Sequence, residues 1–229
     1  MMMKVELISY SQQPTGCRCE GSTLQDIVAY CARVSNPSNQ SNTETTEKLI
    51  RYLIKHKHWS PFEMVNVCLE ITTTRDIARQ ILRHRSFSFQ EFSQRYADPT
   101  KELDLVPREA RMQDHKNRQN SVDITPFDGD RGMQLKDDWH DAQMRIAVDV
   151  LRTYNWAIEN GIAKEQARAI LPEGLTESRL YMNGTLRSWI HFIQVRSGNG
   201  TQKEHMDIAK TCAQVISDIF PLTSQLVSE

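Results

Sequence analysis

The change from a strand pattern to a helix pattern between residues 64 and 86 constrains the fold more than any other feature. The stretch MVNVCLEITTT (64–74) is rich in β-branched residues and roughly alternates apolar with polar side chains, which predicts a strand. The stretch RDIARQILRHRS (75–86) follows directly and has apolar residues at helical spacing. These apolar residues are Ile77, Ala78, Ile81 and Leu82. The chain therefore combines sheet and helix.

The rest of the chain continues this mixture, with more helices than strands. Further strands are predicted at 3–10, 103–106 and 175–184, the last ending in a turn. Further helices are predicted at 24–35, 45–58, 164–171, 185–196 and 202–220, with a long one after Trp139 that Gly161 would cap. Because the strands are far apart in the sequence, the pattern predicts an α+β fold. A single domain over residues 1–229 is expected, in which the polar segment 101–139 is an excursion or lid.

The overall charge is nearly balanced, with 28 Lys and Arg against 29 Asp and Glu. A nonspecific nucleic-acid binder would carry a large positive field, so positive charge must act locally here. The five cysteines have no spacing typical of a disulfide framework or a zinc ribbon, and the first ten residues lack the apolar core of a signal peptide. A cytoplasmic protein with reduced thiols is expected.

Positive charge is concentrated in residues 75–95, which contain five arginines and no lysine. Arginines four residues apart repel on an isolated helix, and a bound anion would offset this. Guanidinium groups grip phosphate bidentately, so the cluster favours a phosphorylated small molecule or nucleotide. Pairing with acidic side chains or exposure to water explains the spacing equally well, and both readings stay open. Neutral donors and a carboxylate, which suit ribose and phosphate, share the loop: Ser86, Ser88, Gln90, Glu91 and Ser93.

A second candidate site lies at residues 56–63. His56, His58 and Glu63 resemble part of a metal-ligand set, which would suit a metal-dependent nucleotide hydrolase. No third His or Cys is nearby, so the sequence predicts no metal site. Ser60 to Glu63 also has the form of a capping box at the start of a short helical turn.

The string RHRSFSFQEFSQRY (83–96) resembles the signature of the flavin-dependent thymidylate synthases: Arg-His-Arg, seven residues, then Ser, followed by Gln-Arg-Tyr. Other blocks match that family in order and approximate spacing: ARVS (32–35), KHKHWSPFE (55–63), ARQILRHR (78–85), EQARAILP (165–172), TLRSWIHF (185–192) and QVR (194–196). The resemblance therefore covers nearly the whole chain.

The resemblance implies the reductive methylation of dUMP to dTMP. In this family 5,10-methylenetetrahydrofolate supplies the carbon, NADPH reduces bound FAD, and the reduced flavin supplies the hydride. It also implies a homotetramer of α+β subunits, each with a central, mostly antiparallel sheet flanked by helices, and with flavin sites between subunits.

Roles for individual residues follow from the same resemblance. The implied dUMP contacts are Gln80, Ile81, Leu82, Arg83, Glu91, Phe92, Ser93, Gln94, Arg95, Arg168 and Arg196. The implied FAD contacts are His58, Ser60, Arg83, His84, Arg85, Glu91, Thr185, Leu186, Arg187 and His191. Gln90 and Thr185 depart from an Asn common at their positions, which puts the flavin contact of Thr185 in question.

Arg196 is the implied catalytic residue, a permanent cation that draws charge toward N3 and O4 of uracil and so makes C5 nucleophilic. It follows Trp189 by seven residues and Ile193 by three, which predicts that it points toward buried surface. Ser93 has no His at a spacing suited to a base, so it is assigned to binding rather than attack. The alternative is an Arg-rich nucleotide- or nucleic-acid-binding protein without flavin chemistry.

Overall fold

The computed structural model describes residues 3–19, 21, 23–125 and 129–227, and its centre is a four-stranded sheet. The strands are β1 (Lys4–Tyr10), β2 (Asn66–Thr74), β3 (Phe87–Glu91), β4 (Arg111–Gln113), β5 (Ser121–Asp123) and β6 (Glu177–Thr185). The helices are α1 (Leu24–Ala32), α2 (Thr46–Lys55), α3 (Arg75–Ile81), α4 (Pro99–Glu102), α5 (Gly129–Glu159), α6 (Lys164–Ala167), α7 (Leu186–Arg196) and α8 (Lys203–Ser217). Short 3-10 turns occur at Pro37–Asn39, Ser60–Met64, Arg168–Ile170 and Pro221–Leu226.

The central sheet has the order β1-β2-β6-β3, and every neighbouring pair is antiparallel. The two inner strands pair along their whole length, from Asn66 opposite Thr185 to Thr74 opposite Glu177. Each inner strand leads directly into a helix, β2 into α3 and β6 into α7. Because the strands are antiparallel, these two helices begin at opposite ends of the sheet. The α+β class and the antiparallel sheet are confirmed.

The core lies between the sheet and helices α1, α3, α7 and α8. Val67, Leu69 and Ile71 alternate along β2 and are fully buried, as the strand pattern predicts. Trp189 of α7 is also fully buried, and its indole N–H donates to the carbonyl of Val67 at 2.9 Å. Burying an indole requires such a partner, so this bond fixes how α7 crosses the sheet.

Gly184 determines how β3 joins the sheet. It lies opposite Phe87, and a Cβ at this position would stand 2.4 Å from the Phe87 ring. The missing side chain lets Phe87 fold over the strand and pack edge-on against Trp189, with ring centroids 4.9 Å apart. The arginine-rich turn before β3 is thereby held against the core.

Several predicted boundaries were wrong. Helix α2 ends at Lys55 because Lys57 takes a left-handed backbone conformation (φ 58°). Helix α3 ends at Ile81 instead of 86, so Arg83 lies in a turn and does not continue the helical row of arginines. The strand predicted at 175–184 ends in no turn and continues into α7. Ser60 makes no capping bond, since the turn is 3-10 and Glu63 pairs with Arg187 instead.

The segment 101–139 is only partly an excursion, which corrects the predicted boundary. It contains the β4–β5 hairpin, and α5 begins at Gly129, ten residues before Trp139, after which the helix was predicted to start. Residues 126–128 lie outside the described part. Nearly every side chain of this first part of α5 is exposed, so no apolar stripe marks it as helical. Instead of a strand at 103–106 there is a single bridge from Leu105 to Thr176.

Arg108 anchors the 101–125 part of the chain to three elements. Its guanidinium donates to Asp76 of α3 at 2.9 Å and pairs with Glu204 of α8 at 3.1 Å. Its main-chain N–H donates to Gln143 of α5 at 2.6 Å. A largely polar segment can thus be fixed by directed hydrogen bonds without a core of its own. Within the described ranges, no helix combines the length and the apolar character needed to cross a membrane.

Candidate active site

The arginines of α3 are held by acidic residues. The side chain of Glu91, at the end of β3, lies 3.7 Å from the guanidinium of Arg75 and 3.1 Å from that of Arg79, and Glu173 lies 3.8 Å from both. Ser178 donates at 2.8 Å to Oε1 of Glu91, the oxygen that faces Arg75. For these two arginines the alternative explanation of the cluster, pairing with acidic side chains, is confirmed.

Arg83 and Arg85 differ from the α3 arginines because both are exposed. Within the described part of the chain, neither guanidinium makes a hydrogen bond or an ion pair with another side chain. The turn that carries them is fixed at its end, where Ser188 donates to the carbonyl of Ser86 at 3.2 Å. Two cations on a fixed turn with no protein partner are available to an anionic ligand.

His84, between those two arginines, points inward and meets Arg196. The Nε of Arg196 donates to Nε2 of His84 at 2.9 Å, and the His84 ring packs edge-on against Phe192 at 5.0 Å. Burial, the nearby charge of Arg196 and His191 lower the pKa of His84 to about 4. His84 is therefore neutral at pH 7 and can accept this bond. Arg196 is half-buried at the end of α7, and neither of its Nη atoms has a partner among the described residues.

Gln80 lies beside this pair and is held at both ends of its amide. Its Oε1 is 3.2 Å from Nδ1 of His205, and its Nε2 donates to Gln202 at 2.7 Å. His205 is fully buried, and burial, Arg196 and His84 together lower its pKa to about 3. His205 also packs against Phe192, with ring centroids 5.7 Å apart, and Phe192 in turn packs against His84. These contacts place Gln80 next to the His84–Arg196 pair.

The loop after β3 carries the remaining predicted nucleotide contacts. Gln94 is nearly fully buried, and its Nε2 lacks a partner within the described residues. Arg95 is exposed and lies 3.5 Å from Glu165, while Lys164 donates to the carbonyl of Tyr96 at 3.0 Å and ties the loop to α6. Among the residues that the structure describes, no titratable side chain is hydrogen-bonded to Ser93. The loop positions donors but provides no base for a nucleophilic serine.

Arg168 follows α6 and approaches the α3 arginines. The pKa of Arg75 is lowered, chiefly by burial and further by the charges of Arg79 and Arg168, while Glu91 and Glu173 act in the opposite sense. The Nε of Arg168 donates to the main-chain carbonyl of Glu165 at 3.4 Å, not to its carboxylate. The structure thus brings Arg168 close to the site, although it is far from the other arginines in sequence.

A cleft of about 560 Å³ opens beside the arginine turn, which contributes Ser86 to its lining. Its lining consists of Trp59, Glu63, Ser86, Arg187, Ser188, His191 and Gln194. The volume is within the range of small-molecule sites, ~300–1,000 Å³. Arg187 and Glu63 form an ion pair across the cleft, and both are partly exposed to solvent. Polar donors and an exposed guanidinium on one wall suit a ligand with both ring and phosphate groups.

Several other predicted ligand contacts are not among the residues that line the cleft. Thr185 caps α7, because its hydroxyl accepts from the N–H of Ser188 at 3.3 Å. Leu186 is fully buried in the core and its N–H donates to Val65, so its side chain faces away from the cleft. His58 and Ser60 are exposed beside Trp59. Ile81 is also a core residue, which leaves only its main chain for a nucleotide contact.

No set of three or more His, Cys, Asp or Glu side chains is arranged to hold a metal ion in the described ranges. Sequence reasoning missed four residues that support the site: Glu173, Ser178, Gln202 and His205. One signal was available for His205, because it shares the spacing of Ile208, Ala209, Cys212 and Ile216 on the buried face of α8. The other three pair across long sequence distances, for which a single sequence carries no signal.

The fold and the site together define an α+β protein whose exposed guanidinium groups and adjoining cleft suit an anionic, nucleotide-sized ligand. A family model described as "Thymidylate synthase complementing protein" matches residues 21–222. A probable flavin-dependent thymidylate synthase of Paramecium bursaria Chlorella virus 1 is 49% identical over 200 residues, covering 87% of this chain and 88% of that protein. A flavin-dependent thymidylate synthase of Synechocystis sp. is 47% identical over 219 residues, covering 96% of both. The chain belongs to the flavin-dependent thymidylate synthase family, which confirms that it is an enzyme.

Solved structures show the same fold. The crystal structure of a UMP/dUMP methylase PolB from Streptomyces cacaoi, bound with 5-Br dUMP, superimposes with a TM-score of 0.72 and covers 98% of this chain and 94% of that one. The sequence identity is 24%, so the likeness supports the architecture alone.

Proposed function

We propose that this protein methylates dUMP to dTMP, with 5,10-methylenetetrahydrofolate as the carbon donor and NADPH as the reductant of bound FAD. Family membership supports the reaction. The observation that carries the proposal is the pairing of Arg196 with a neutral His84 beside unpaired Arg83 and Arg85. This arrangement holds one cation in a fixed direction and leaves two for phosphate or flavin.

Arg196 would prepare the pyrimidine for carbon transfer. Its Nε is occupied by His84, so its orientation is set before substrate binds, and the two Nη groups remain to donate toward O4 of uracil and toward N3 when that nitrogen has lost its proton. Preoriented donors stabilise developing charge more than mobile ones do, because they need no reorganisation during the reaction. No covalent protein nucleophile is required, which agrees with the absence of a base bonded to Ser93.

The residues around the cleft fit FAD. Arg187 and His191 offer donors on one helix beside the cleft, and the two unpaired arginines of the turn suit its diphosphate. When bound, the reduced flavin supplies the hydride that completes the methyl group. The protein's part is to exclude water and to hold the flavin beside the nucleotide. For Arg187 to contact a phosphate, it must leave Glu63 or bridge to it.

We infer a homotetramer whose sites lie between subunits, from the surface of α5. This helix exposes large apolar side chains along its length, which is unusual for a surface in water. They include Met133, Leu135, Trp139, Met144, Ile146, Val148 and Trp156. A partner subunit packed on α5 would cover them. We also infer that residues 1–229 act as one domain in the cytoplasm.

The experiment that tests this proposal is a complete reaction followed by omission of each component. Purified protein with dUMP, methylenetetrahydrofolate, NADPH and FAD should form dTMP and tetrahydrofolate, and omission of NADPH should stop turnover. Tetrahydrofolate is the informative product, since dihydrofolate would mean that the folate itself supplied the hydride. A protein that binds no FAD, or that forms dihydrofolate in step with dTMP, would contradict the proposal. Oligonucleotide binding without dTMP formation would favour the nucleic-acid alternative.

A further inference from the structure

His205 belongs to no predicted role, yet it touches the centre of the site. It lies on the buried face of α8, is fully buried, and has one ring nitrogen, Nε2, with no partner among the described residues. Its other nitrogen, Nδ1, lies 3.2 Å from Oε1 of Gln80. A buried polar group with an unsatisfied atom lowers stability, so a residue kept there needs a reason.

A chain of hydrogen bonds fixes the direction of the Gln80 amide. Glu204 is held by Arg108 at 3.1 Å and, as a carboxylate, can only accept, so Gln202 must turn its amide nitrogen toward it, at 2.9 Å. The oxygen of Gln202 then faces Gln80 and accepts from its Nε2 at 2.7 Å. The oxygen of Gln80 is left to face His205, which must donate from Nδ1.

We propose that His205 is a positioning residue, which holds the Gln80 oxygen inward and leaves one amide N–H of Gln80 to face the nucleotide. The proposal rests on the proposed function, in which Gln80 contacts dUMP. Without the donor at His205, only Gln202 holds the Gln80 amide, so the amide plane can turn and its free N–H no longer points steadily at the nucleotide. The nucleotide then loses a donor, while the flavin cleft, formed by other residues, keeps its lining.

The same assignment explains why His205 stays neutral. A second proton on Nε2 would place a charge in a fully buried position beside His84 and near the permanent charge of Arg196. Nδ1 keeps its proton for Gln80, and Nε2 carries a lone pair. His84 has the same tautomer for a different reason, because its Nε2 accepts from Arg196.

Substitutions at His205 test the proposal through steady-state kinetics. His205→Asn places an amide nitrogen where Nδ1 lies and should keep the KM for dUMP within about twofold of the wild-type value, whereas His205→Leu and His205→Gln should raise it about 3- to 10-fold. Bound FAD should be unchanged in all three, and kcat should change less than KM. Cys212→Ala, on the same buried face of α8, is the control for a loss of packing.

Two results would overturn the proposal: a folded His205→Leu variant with a normal KM, or His205→Asn and His205→Leu affected alike.

The wild-type protein provides an independent measurement if the His205 variants fail to fold. In ¹⁵N-histidine-labelled protein, two histidines, His84 and His205, should be neutral and protonated on Nδ1, and the signal that shifts in the Gln202→Leu spectrum is assigned to His205. A proton on Nε2 of His205 instead of Nδ1 would refute the proposed direction of the hydrogen bonds from Glu204 to His205. If the wild type forms no dTMP, the proposed function is wrong, but the tautomer measurement still shows whether His205 donates to Gln80.

Discussion

Acidification should destabilise the fold through His205, and the size of the effect can be worked from its environment. The ring is fully buried, and its folded-state pKa of about 3 lies below the ordinary value of 6.5. A lowered pKa means that the unfolded chain binds the proton more tightly than the folded one. The stabilising contribution is therefore fully present above pH 6.5 and is lost as the pH falls toward 3.

The expected magnitude follows from proton linkage. At pH 5 the unfolded histidine is almost fully protonated and the folded one is not, which lowers the free energy of unfolding by about 2 kcal/mol relative to pH 8. For a chain of this length such a change corresponds to roughly 4–8 °C in Tm. His84, whose folded pKa is about 4, acts in the same direction, so the effect of His205 must be isolated by substitution.

The assay is urea unfolding at pH 8 and pH 5, at one protomer concentration, for the wild type and His205→Asn. The variant keeps a donor for Gln80 but has no titrating group at this position. It should lose less stability on acidification than the wild type by about 2 kcal/mol. His115→Asn, in the polar loop between β4 and β5, is the control for loss of an exposed histidine. Equal pH dependence in the wild type and His205→Asn would show that the buried ring does not resist protonation.

Three further substitutions test the site and the assembly. Arg196→Lys should keep the FAD absorbance but lose roughly 10²–10³-fold in dTMP formation, because a single ammonium cannot bond His84 and also donate two parallel hydrogen bonds. Arg152→Lys on α5 is the matched control. Near-normal turnover in Arg196→Lys would show that Arg196 does not have the assigned role. Ser93→Ala should retain measurable methylation, whereas a serine-linked nucleotide trapped in the wild type and detected by mass spectrometry would contradict that. Val148→Asp should shift the protein to smaller species in light scattering, since Val148 is 59% exposed in the single chain and a partner would bury it; an unchanged mass would place the interface elsewhere.

The sequence predicted those parts of the fold that depend on local pattern. Strand β2 and helix α7 were predicted because their apolar residues follow the periods of strand and helix without interruption. The start of α5 was missed because its residues are exposed and mostly polar, and its few apolar residues do not repeat at helical spacing. The β4–β5 hairpin was missed as well, since its strands have three residues each and depend on cross-strand bonds such as Arg111 to Ser121.

The candidate site shows a similar division. Spacing identified the arginine cluster, but it could not tell Arg79, which has an acidic partner, from Arg83, which has none in the described ranges. That difference depends on where α3 ends and on Glu173, nearly a hundred residues away. The inward direction of Arg196 was predicted from Trp189 and Ile193, and the structure agrees, although the partner it finds is His84.

The separation of paired and unpaired arginines suggests how one site can serve two anions. Arg79 shares the charge of Glu91 and Glu173, so it contributes little net field and mainly fixes the end of β3. Arg83 and Arg85 lie in the turn and pair with no acidic side chain in the described part of the chain, so they keep their full charge. An anion that binds there displaces water rather than a carboxylate, and so avoids breaking an ion pair. The cleft differs, because there Arg187 already has Glu63, and binding at that position must compete with an internal anion.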